Sequence, residues 1–293
     1  MKICVPATSA NLGPGFDTLG LAISLHNQVS IKPSKFHSVS LKGEGSNNPV
    51  LKDNNMFIAI FNDFYHNLSR KKRHFRFEFT NEVPLSRGLG SSSAVIVSAI
   101  ASAYAIEGIN IEKQKLLNLA LAYENHPDNI TPAVMGGFNV ASVQDNEVKF
   151  IRKNMPKSLK AIVVIPNRPI STQLARKALP YKYSKEDTVF NISHSSLLTA
   201  AFISEDWKML KTASQDKVHQ KYRMKQMPEL FDVQKTALKH GALMSTLSGS
   251  GSTLFSMAFS DDAQRIEKEL KKRYPHFKVL VRDFDNSGVT VNY

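Results

Sequence analysis

The residues Pro84-Leu85-Ser86-Arg87-Gly88-Leu89-Gly90-Ser91-Ser92-Ser93-Ala94 are followed directly by the apolar run 95–106. A glycine- and serine-rich segment ahead of such a run predicts a loop that opens into a helix over about residues 92–106. One of the three serines can cap that helix with its hydroxyl. Unpaired N–H groups and the positive end of the helix dipole favour anions here, and small residues let an anion approach closely. The stretch therefore predicts a site for the triphosphate of a nucleotide.

Two widespread phosphate motifs do not describe this loop. No Gly-Lys-Ser/Thr follows it, so the lysine of a Walker A motif is missing, and the chain contains no G-x-G-x-x-G. An ordinary helix after a glycine turn explains an isolated G-x-G-S-S equally well. The remainder of the chain must decide between these two interpretations.

Composition is typical of a soluble globular protein. The chain has 293 residues, of which 42% are hydrophobic and 22% charged, enough for one large domain or two ordinary ones. The first apolar run is too short for a signal-peptide core, and the run 95–106 is too short to span a bilayer. The single cysteine, Cys4, suits a reducing cytosol and is expected as a small buried residue on the first strand. We therefore expect a cytoplasmic protein with no membrane partner.

The net charge of +13 suits an anionic ligand, and it also suits nucleic acid. The densest basic patch covers residues 70–77. The alternation of Phe75, Phe77 and Phe79 predicts a half-buried strand, with the basic cluster in the preceding turn. We favour this interpretation over an RNA-stacking surface, and expect no nucleic-acid partner.

Hydrophobic periodicity predicts strands and helices without a regular βαβ alternation, which favours an α+β protein in two lobes. A candidate boundary at 152–156 divides the chain into domains 1–155 and 156–293. Strands are predicted at 3–6, 28–33, 37–43, 73–79, 138–143, 147–151, 161–165, 242–247, 253–259 and 277–283. Helices are predicted at 56–68, 92–106, 111–123, 172–179, 186–204, 206–213, 229–240 and 262–273. Segment 7–20 is expected to be irregular, and 124–137, with two prolines and a glycine pair, has no predicted element.

Three segments, taken in order, resemble the GHMP kinase superfamily. They are Pro6-Ala7-Thr8-Ser9-Ala10-Asn11-Leu12-Gly13-Pro14-Gly15-Phe16-Asp17-Thr18-Leu19-Gly20, the loop 84–94, and Leu247-Ser248-Gly249-Ser250-Gly251-Ser252-Thr253. The first resembles the homoserine kinase family in particular, and shorter matches at 124–133, 172–180 and 219–223 agree with it. Ser93, Thr131 and Ser252 depart from the usual residues without removing a functional group. The resemblance implies the two-lobe GHMP fold, with an N-terminal ATP-binding lobe related to a ribosomal-protein domain and a C-terminal α/β sandwich lobe.

The same resemblance implies a kinase for L-homoserine that uses ATP and Mg²⁺. It implies that the loop 84–94 wraps the phosphates, that Ser92 and Glu124 hold Mg²⁺, and that Asn55 reaches the adenine. Arg87 either adds charge near the phosphates or stays in solvent. Asn129 would orient the hydroxyl for direct in-line transfer, and the role of Asp128 stays open. The residues implied for the amino-acid pocket are Asn11, Asp17, His126, Asn129, Thr172, Arg176 and Arg223.

The residues themselves are compatible with a zwitterionic substrate. An ammonium needs an anion such as Asp17, and a carboxylate pairs well with the guanidinium groups of Arg176 and Arg223. Taken singly, Asp17 could form a turn and each arginine could be solvated. Three alternatives stay open: a GHMP kinase for another small alcohol such as mevalonate or shikimate, a nucleic-acid-binding protein, and a catalytically silent sensor. A homodimer is compatible with the sequence.

Overall fold

The computed structural model describes residues 1–69 and 73–293. Arg70, Lys71 and Lys72 of the predicted basic turn lie outside the described residues. The strands are β1 (Lys2–Ala10), β2 (Leu19–Ser34), β3 (Ser38–Gly43), β4 (His74–Asn81), β5 (Phe138–Gln144), β6 (Glu147–Lys153), β7 (Leu159–Ile165), β8 (Met244–Leu247), β9 (Leu254–Phe259), β10 (Lys278–Arg282) and β11 (Thr290–Asn292).

The helices carry most of the remaining chain. They are α1 (Val50–Asp53), α2 (Met56–Leu68), α3 (Ser91–Ile106), α4 (Lys113–Leu121), α5 (Pro127–Met135), α6 (Thr172–Lys177), α7 (Lys185–Ser204), α8 (Leu210–Ala213), α9 (Gln220–Met224), α10 (Glu229–Lys239) and α11 (Ser260–Arg273), with a 3₁₀ turn at Trp207–Met209. Strands and helices are mixed, and the predicted α+β class is confirmed.

The strands form two sheets. The first has the order β11-β1-β2-β4-β3, with β5 paired to β2 and β6 paired to β5. Its pairs are antiparallel except β3 with β4. The second sheet has the order β10-β7-β9-β8 and is antiparallel throughout. The chain therefore moves from one sheet to the other between β6 and β7.

That crossing lies next to the predicted boundary at 155/156, but the strands at the C-terminus do not follow the division. Strand β11 pairs with β1, with Lys2 opposite Asn292 and Cys4 opposite Thr290. The last strand thus belongs to the first sheet, although the predicted domain boundaries assign it to the C-terminal domain 156–293. The division into two domains itself stays a prediction.

Side-chain alternation along β7 explains how the layers pack. Leu159, Ala161 and Val163 belong to an apolar cluster shared by both sheets and by α7 and α8. Ile162 and Val164 point the other way, into a cluster with α10 and α11. Successive side chains leave opposite faces of a sheet, so a strand buried on both faces needs an almost continuous apolar run, as β7 has. A third cluster packs α2, α3 and α4 on the other face of the first sheet.

The predicted phenylalanine face of β4 is confirmed. Phe75, Phe77 and Phe79 are buried and alternate with exposed residues, and they contact the rings of Phe57 and Phe61 on α2. Burial of these rings removes the aromatic surface on which an RNA-stacking function would depend.

Segment 124–137 contains a helix, α5, which was not predicted because the segment has two prolines. Pro127 occupies the first turn, where the missing N–H costs nothing. Pro132 lies inside the helix and cannot donate to the carbonyl of Asp128. Gly20 packs against that carbonyl, since a Cβ built at Gly20 would lie 1.9 Å from the Asp128 oxygen. A Cβ at Gly20 would also lie 2.9 Å from Pro132 Cγ, so the glycine leaves the space that this turn of α5 occupies.

Segment 7–20 is also more regular than expected. β1 runs on to Ala10, and β2 begins at Leu19, so the irregular part is limited to 11–18. Thr8 and Ser9 are buried polar residues, which hid this part of the strand from a hydrophobic pattern. Cys4 lies on β1 as predicted but is half-buried, and burial raises the pKa of its thiol. The short elements α9 and β11 also had no predicted counterpart.

Candidate active site

A cavity of about 730 Å³ lies where the glycine-rich loops of the two halves of the chain meet. It brings together every predicted site residue except Ala94, which is buried in the core. The predicted residues that line it are Asn11, Asp17, Asn55, Pro84, Leu85, Ser86, Arg87, Gly88, Leu89, Gly90, Ser91, Ser92, Ser93, Glu124, His126, Asn129, Thr172, Arg176 and Arg223. Residues separated by more than two hundred positions in the sequence thus share one space.

The loop 84–94 opens into α3 as predicted, but no serine side chain caps the helix. The N-cap is Gly90, in a left-handed conformation with φ 66° and ψ 26°, and no side-chain cap is seen among the described residues. The first intrahelical donor is the N–H of Ala94, which bonds to the carbonyl of Gly90 at 2.9 Å. The N–H groups of the three serines therefore precede the helical ladder, and remain at the positive end of the dipole.

Two glycines of the loop leave no space for a side chain. A Cβ at Gly90 would lie 1.9 Å from Thr8 Oγ1, and a Cβ at Gly88 would lie 2.1 Å from the carbonyl oxygen of Ser248. Both also have positive φ, at 66° and 75°, which side chains disfavour. The small residues of the motif are therefore required by close packing as well as by access for an anion.

Contacts from both halves of the chain hold this loop. The Thr8 N–H donates to Leu89 O at 3.1 Å, and the Thr253 N–H donates to Arg87 O at 3.1 Å. The Ser248 hydroxyl donates to Gly88 O at 2.6 Å. The second glycine loop, 248–252, thus supports the first one. It is more than a turn between β8 and β9.

Arg87 lines the cavity, and its side chain is half-buried and hydrogen-bonded rather than free in solvent. Its guanidinium donates to the carbonyls of Pro166 at 2.9 Å, Asn167 at 2.6 Å and Leu85 at 3.1 Å. Burial lowers the pKa of this guanidinium. The side chain joins the loop 84–94 to the segment after β7, which sequence alone could not indicate because those acceptors are backbone carbonyls. A contact between Arg87 and a nucleotide stays a prediction.

Asn55 lines the cavity, but both polar atoms of its side chain are already engaged. As the N-cap of α2, its Oδ1 accepts from the Ile58 N–H at 3.2 Å, and its Nδ2 donates to Leu51 O at 2.9 Å. This arrangement explains the residue by local structure. Its predicted contact with adenine stays untested.

The cavity is also lined by apolar residues that sequence reasoning did not assign to a site. Leu41, Leu51, Met56, Phe57 and Phe79 line it, together with the start of the phosphate loop. Of these residues, Phe57 and Phe79 were interpreted only as parts of the packed faces of α2 and β4. Apolar and aromatic lining of this kind suits an apolar ring of a ligand.

Glu124, one of the two predicted Mg²⁺ ligands, accepts a hydrogen bond from Ser93, with Ser93 Oγ 2.8 Å from Glu124 Oε2. Ser92 is exposed at the first turn of α3 and lines the cavity. Burial raises the pKa of Glu124, and the Ser93 hydrogen bond opposes that rise. Among the described residues, no group of three His, Cys, Asp or Glu side chains could hold a metal.

Asn129 lies in the first turn of α5, close to the phosphate loop. Its Oδ1 accepts from the hydroxyl of Thr8 at 2.7 Å. Because this bond orients the amide, Nδ2 is the atom that Asn129 offers to a ligand in the cavity. The same Thr8 packs against Gly90, so Asn129 is fixed relative to α3.

The acidic and basic residues predicted for a zwitterion form one ion-pair cluster. Arg176 Nη2 lies 2.8 Å from Asp17 Oδ1, and His126 Nδ1 lies 3.5 Å from Asp17 Oδ2. Asp17 has φ 56°, and its N–H donates to Asn11 Oδ1 at 3.0 Å. Burial lowers the pKa of His126, although the Asp17 charge opposes this effect. The cluster therefore confirms that these residues meet, while their roles stay proposals.

Arg223 is the deepest of these cations, with only 2% of its surface exposed. Its Nη1 donates to Gly249 O at 3.0 Å, and the Asn11 amide donates to the same carbonyl at 3.0 Å. Burial, followed by repulsion from Arg176, lowers the pKa of Arg223 to about 10. The Phe16 ring lies 5.1 Å from the Arg223 guanidinium carbon and 5.5 Å from that of Arg176, a cation–π distance in both cases.

Thr172 contacts the second glycine loop, since its Oγ1 lies 3.3 Å from Ser250 Oγ.

Asp128 lines the cavity with only 3% of its surface exposed, and its Oδ1 has no hydrogen-bond partner among the described residues. Burial, with repulsion from Asp17 and Glu124, raises the pKa of Asp128 to about 8. This carboxyl is therefore mostly protonated at neutral pH.

Across the described parts of the chain, every helix is too short or too polar to cross a lipid bilayer.

Comparison with known proteins gives a consistent result. The model of the GHMP kinases N terminal domain matches residues 55–137, and the model of the GHMP kinases C terminal domain matches residues 198–276. A homoserine kinase of Aliarcobacter butzleri is 79% identical over 291 residues, which is 99% of both chains. A homoserine kinase of Nitratiruptor is 62% identical over the same share of each chain.

Solved structures agree with these matches. The crystal structure of homoserine kinase from Cytophaga hutchinsonii superposes with a TM-score of 0.88 at 27% identity, covering 99% of this chain and 96% of the other. A crystal structure of mevalonate kinase superposes with a TM-score of 0.75 at 14% identity, covering 98% and 100%. The second likeness shows a shared fold alone.

Proposed function

The chain belongs to the homoserine kinase family of the GHMP kinases, and from that premise we propose that it phosphorylates L-homoserine with ATP. The γ-phosphoryl group passes to the side-chain hydroxyl, giving ADP and O-phospho-L-homoserine for threonine biosynthesis. One observation supports this assignment above the others. A helix start suited to phosphates and an ion-pair cluster suited to a zwitterion open into the same cavity.

The triphosphate is assigned to the start of α3. The N–H groups of Ser91, Ser92 and Ser93 have no acceptor inside the described helix, and the dipole favours negative charge there. The adenine is assigned to the apolar residues Met56 and Phe57, which line the same cavity as the loop. This placement leaves the γ-phosphate at the end of the nucleotide that faces Asn129.

Ser92 and Glu124 are the residues that would hold Mg²⁺. One hydroxyl and one carboxylate are enough, because Mg²⁺ keeps several waters and phosphate oxygens as its other ligands. Glu124 suits this role, since burial has raised its pKa and a nearby cation would stabilise its ionised form. When bound, Mg²⁺ supplies positive charge that offsets the charge of the phosphates.

The amino-acid end of homoserine is assigned to the ion-pair cluster. Asp17 and Arg176 already pair at 2.8 Å, so an incoming zwitterion can replace that contact with two others. Its ammonium would take Asp17, and its carboxylate would take Arg176 and Arg223. His126 and Thr172 line the same end of the cavity and bound the amino acid.

Asn129 positions the hydroxyl for the transfer. Its Nδ2 donates to one lone pair of the hydroxyl oxygen, which leaves another lone pair for the phosphorus. Phosphoryl transfer passes through a loose transition state, so alignment and charge neutralisation contribute more than a strong base. Burial and repulsion from Asp17 and Glu124 raise the pKa of Asp128 to about 8, so at neutral pH only the smaller, ionised fraction of this carboxyl could accept a proton.

We also propose that the protein is cytoplasmic. Its single cysteine, Cys4, would stay reduced there.

The test is ADP release by purified protein with a panel of hydroxylated metabolites. We expect L-homoserine to give the highest kcat/KM, with mevalonate, shikimate and L-serine far lower. Each competitor lacks either the ammonium or the distance between hydroxyl and carboxylate that the cavity requires. A higher kcat/KM with mevalonate or shikimate would refute the substrate assignment, and no ADP release with any of them would refute the kinase.

A further inference from the structure

We propose that His219, buried behind the amino-acid pocket, is a positioning residue that aligns Arg223 with the loop carrying Asp17. The inference rests on the proposed function, in which Arg223 binds the carboxylate of homoserine and Asp17 binds its ammonium. His219 has no exposed surface and lines no part of the cavity, so it acts on the substrate only through other residues.

The ring of His219 connects the two segments directly. Its Nε2 lies 2.8 Å from the carbonyl oxygen of Gly13, in the loop between β1 and β2. Its Nδ1 lies 3.4 Å from Arg223 Nη1, one turn further along α9. The imidazole therefore sets the separation between the arginine and the glycine-rich loop.

Its two partners determine which nitrogen carries the proton. A carbonyl oxygen can only accept, so Nε2 must donate to Gly13, and a guanidinium can only donate, so Nδ1 must accept from Arg223. This is the neutral Nε2–H tautomer. Burial and the Arg223 charge lower the pKa of His219, and Asp216 opposes that effect, which agrees with a neutral ring.

Asp216 holds the histidine in place. Its carboxylate accepts from the N–H groups of Val218 at 2.9 Å, His219 at 3.0 Å and Gln220 at 2.7 Å. The side chains of Asp216 and His219 are both fully buried, with Oδ2 3.9 Å from Nε2. The start of α9 therefore has little freedom, and neither does the imidazole that precedes it.

Phe16 completes the link between the two segments. Its ring centroid lies 5.3 Å from that of His219 and 5.1 Å from the guanidinium carbon of Arg223. Phe16 directly precedes Asp17, so the position of the imidazole reaches the ammonium-binding carboxylate through one neighbour. Loss of the ring should weaken recognition of the carboxylate most, because the bond to Arg223 is broken outright.

The test compares three substitutions. His219→Leu removes both polar contacts and should raise the KM for L-homoserine by about tenfold or more, the usual effect of losing a hydrogen bond to a charged group. His219→Asn places an amide oxygen near the position of Nδ1, so it keeps the acceptor for Arg223 and should raise this KM much less. Gln220→Leu is the matched control. Gln220 is a buried neighbour whose Oε1 accepts from the Leu247 N–H at 2.7 Å, away from Arg223.

Three measurements separate positioning from a loss of packing. We expect the KM for ATP to stay at the wild-type value in all variants. The inhibition constant of 3-aminopropan-1-ol, which is homoserine without its carboxylate, should also stay at the wild-type value in His219→Leu. Gln220→Leu should lower the melting temperature and leave the KM for homoserine unchanged.

The outcomes that overturn the inference are distinct from failure of the function. Wild-type protein without activity on homoserine refutes the proposed function and this inference together. If the wild-type protein is active, two results refute the inference alone. One is an equal rise of the homoserine KM in His219→Leu and Gln220→Leu, and the other is that His219→Leu weakens binding of the amino alcohol as much as that of homoserine. If His219→Leu does not fold, His219→Asn takes its place in this comparison. The inference is then refuted if His219→Asn raises the homoserine KM more than Gln220→Leu does and also weakens binding of the amino alcohol.

Discussion

Asp128 makes the stability of this protein depend on pH in an unusual direction. Its carboxyl is buried, one oxygen has no partner among the described residues, and Asp17 and Glu124 add negative charge nearby. Together these effects raise the pKa from 3.8 to about 8. Most aspartates stabilise a fold as the pH rises, whereas this one should do the opposite.

The size of the effect follows from the two pKa values. Between about pH 4 and pH 8, the folded protein keeps a proton at Asp128 that the unfolded chain has lost. The contribution of Asp128 to the free energy of unfolding therefore falls by about 1.4 kcal/mol per pH unit in this window, or about 3 kcal/mol from pH 5 to pH 7. Below the window both states are protonated, and above it both are ionised, so the dependence ends at each side.

Urea unfolding of wild-type protein and Asp128→Asn at several pH values tests this. The amide cannot ionise, so the stability of the variant relative to wild type should rise by about 3 kcal/mol from pH 5 to pH 7. Asp145→Asn, on an exposed turn between β5 and β6, makes the same change in formal charge and should give a profile parallel to wild type. Parallel profiles for wild type and Asp128→Asn would refute the reasoning.

Three further predictions concern the cavity. Asn129→Ala should lower kcat by about tenfold or more with little change in the KM for ATP, because the amide positions the hydroxyl; an unchanged kcat would contradict that role. Gly90→Ala should cost at least about 1–3 kcal/mol in the free energy of unfolding and weaken ATP binding, since its Cβ meets Thr8 and its φ is positive. Asp17→Asn and Arg176→Met should each raise the KM for homoserine, and the double variant should show less than the summed effect, as paired groups do; full additivity would argue against a shared role.

Local chemistry explains what could be predicted from the sequence. The bounds predicted for α2 match the structure, and α3 begins one residue earlier than expected, because a polar N-cap or a glycine loop precedes an apolar run. The alternation of buried and exposed residues on β4 could be predicted in the same way. These signals lie within a few residues of one another, so no tertiary information was needed.

Other features depend on contacts between distant segments. Helix α5 has two prolines, and Gly20 of a distant strand leaves the space that the turn with Pro132 occupies. Arg87 donates to the backbone carbonyls of residues 166 and 167, and contacts with backbone carbonyls cannot be predicted from residue types. The hydrogen bond from Ser93 to Glu124 depends on the direction in which each serine side chain leaves the helix. Sequence could therefore predict which residues line this cavity, but not the contacts between their atoms.

The charges around the cavity also explain why a zwitterion fits better than a simple anion. Asp17 and Arg176 satisfy each other at 2.8 Å, and each is partly buried, so separating them without replacement leaves a carboxylate and a guanidinium uncompensated. A carboxylate substrate such as mevalonate could pair with Arg176 but would leave Asp17 without its cation. Homoserine supplies both charges, and replaces the internal pair without a net loss of partners. Discrimination between alcohols would then come from the cost imposed on the wrong substrate as much as from contacts with the right one.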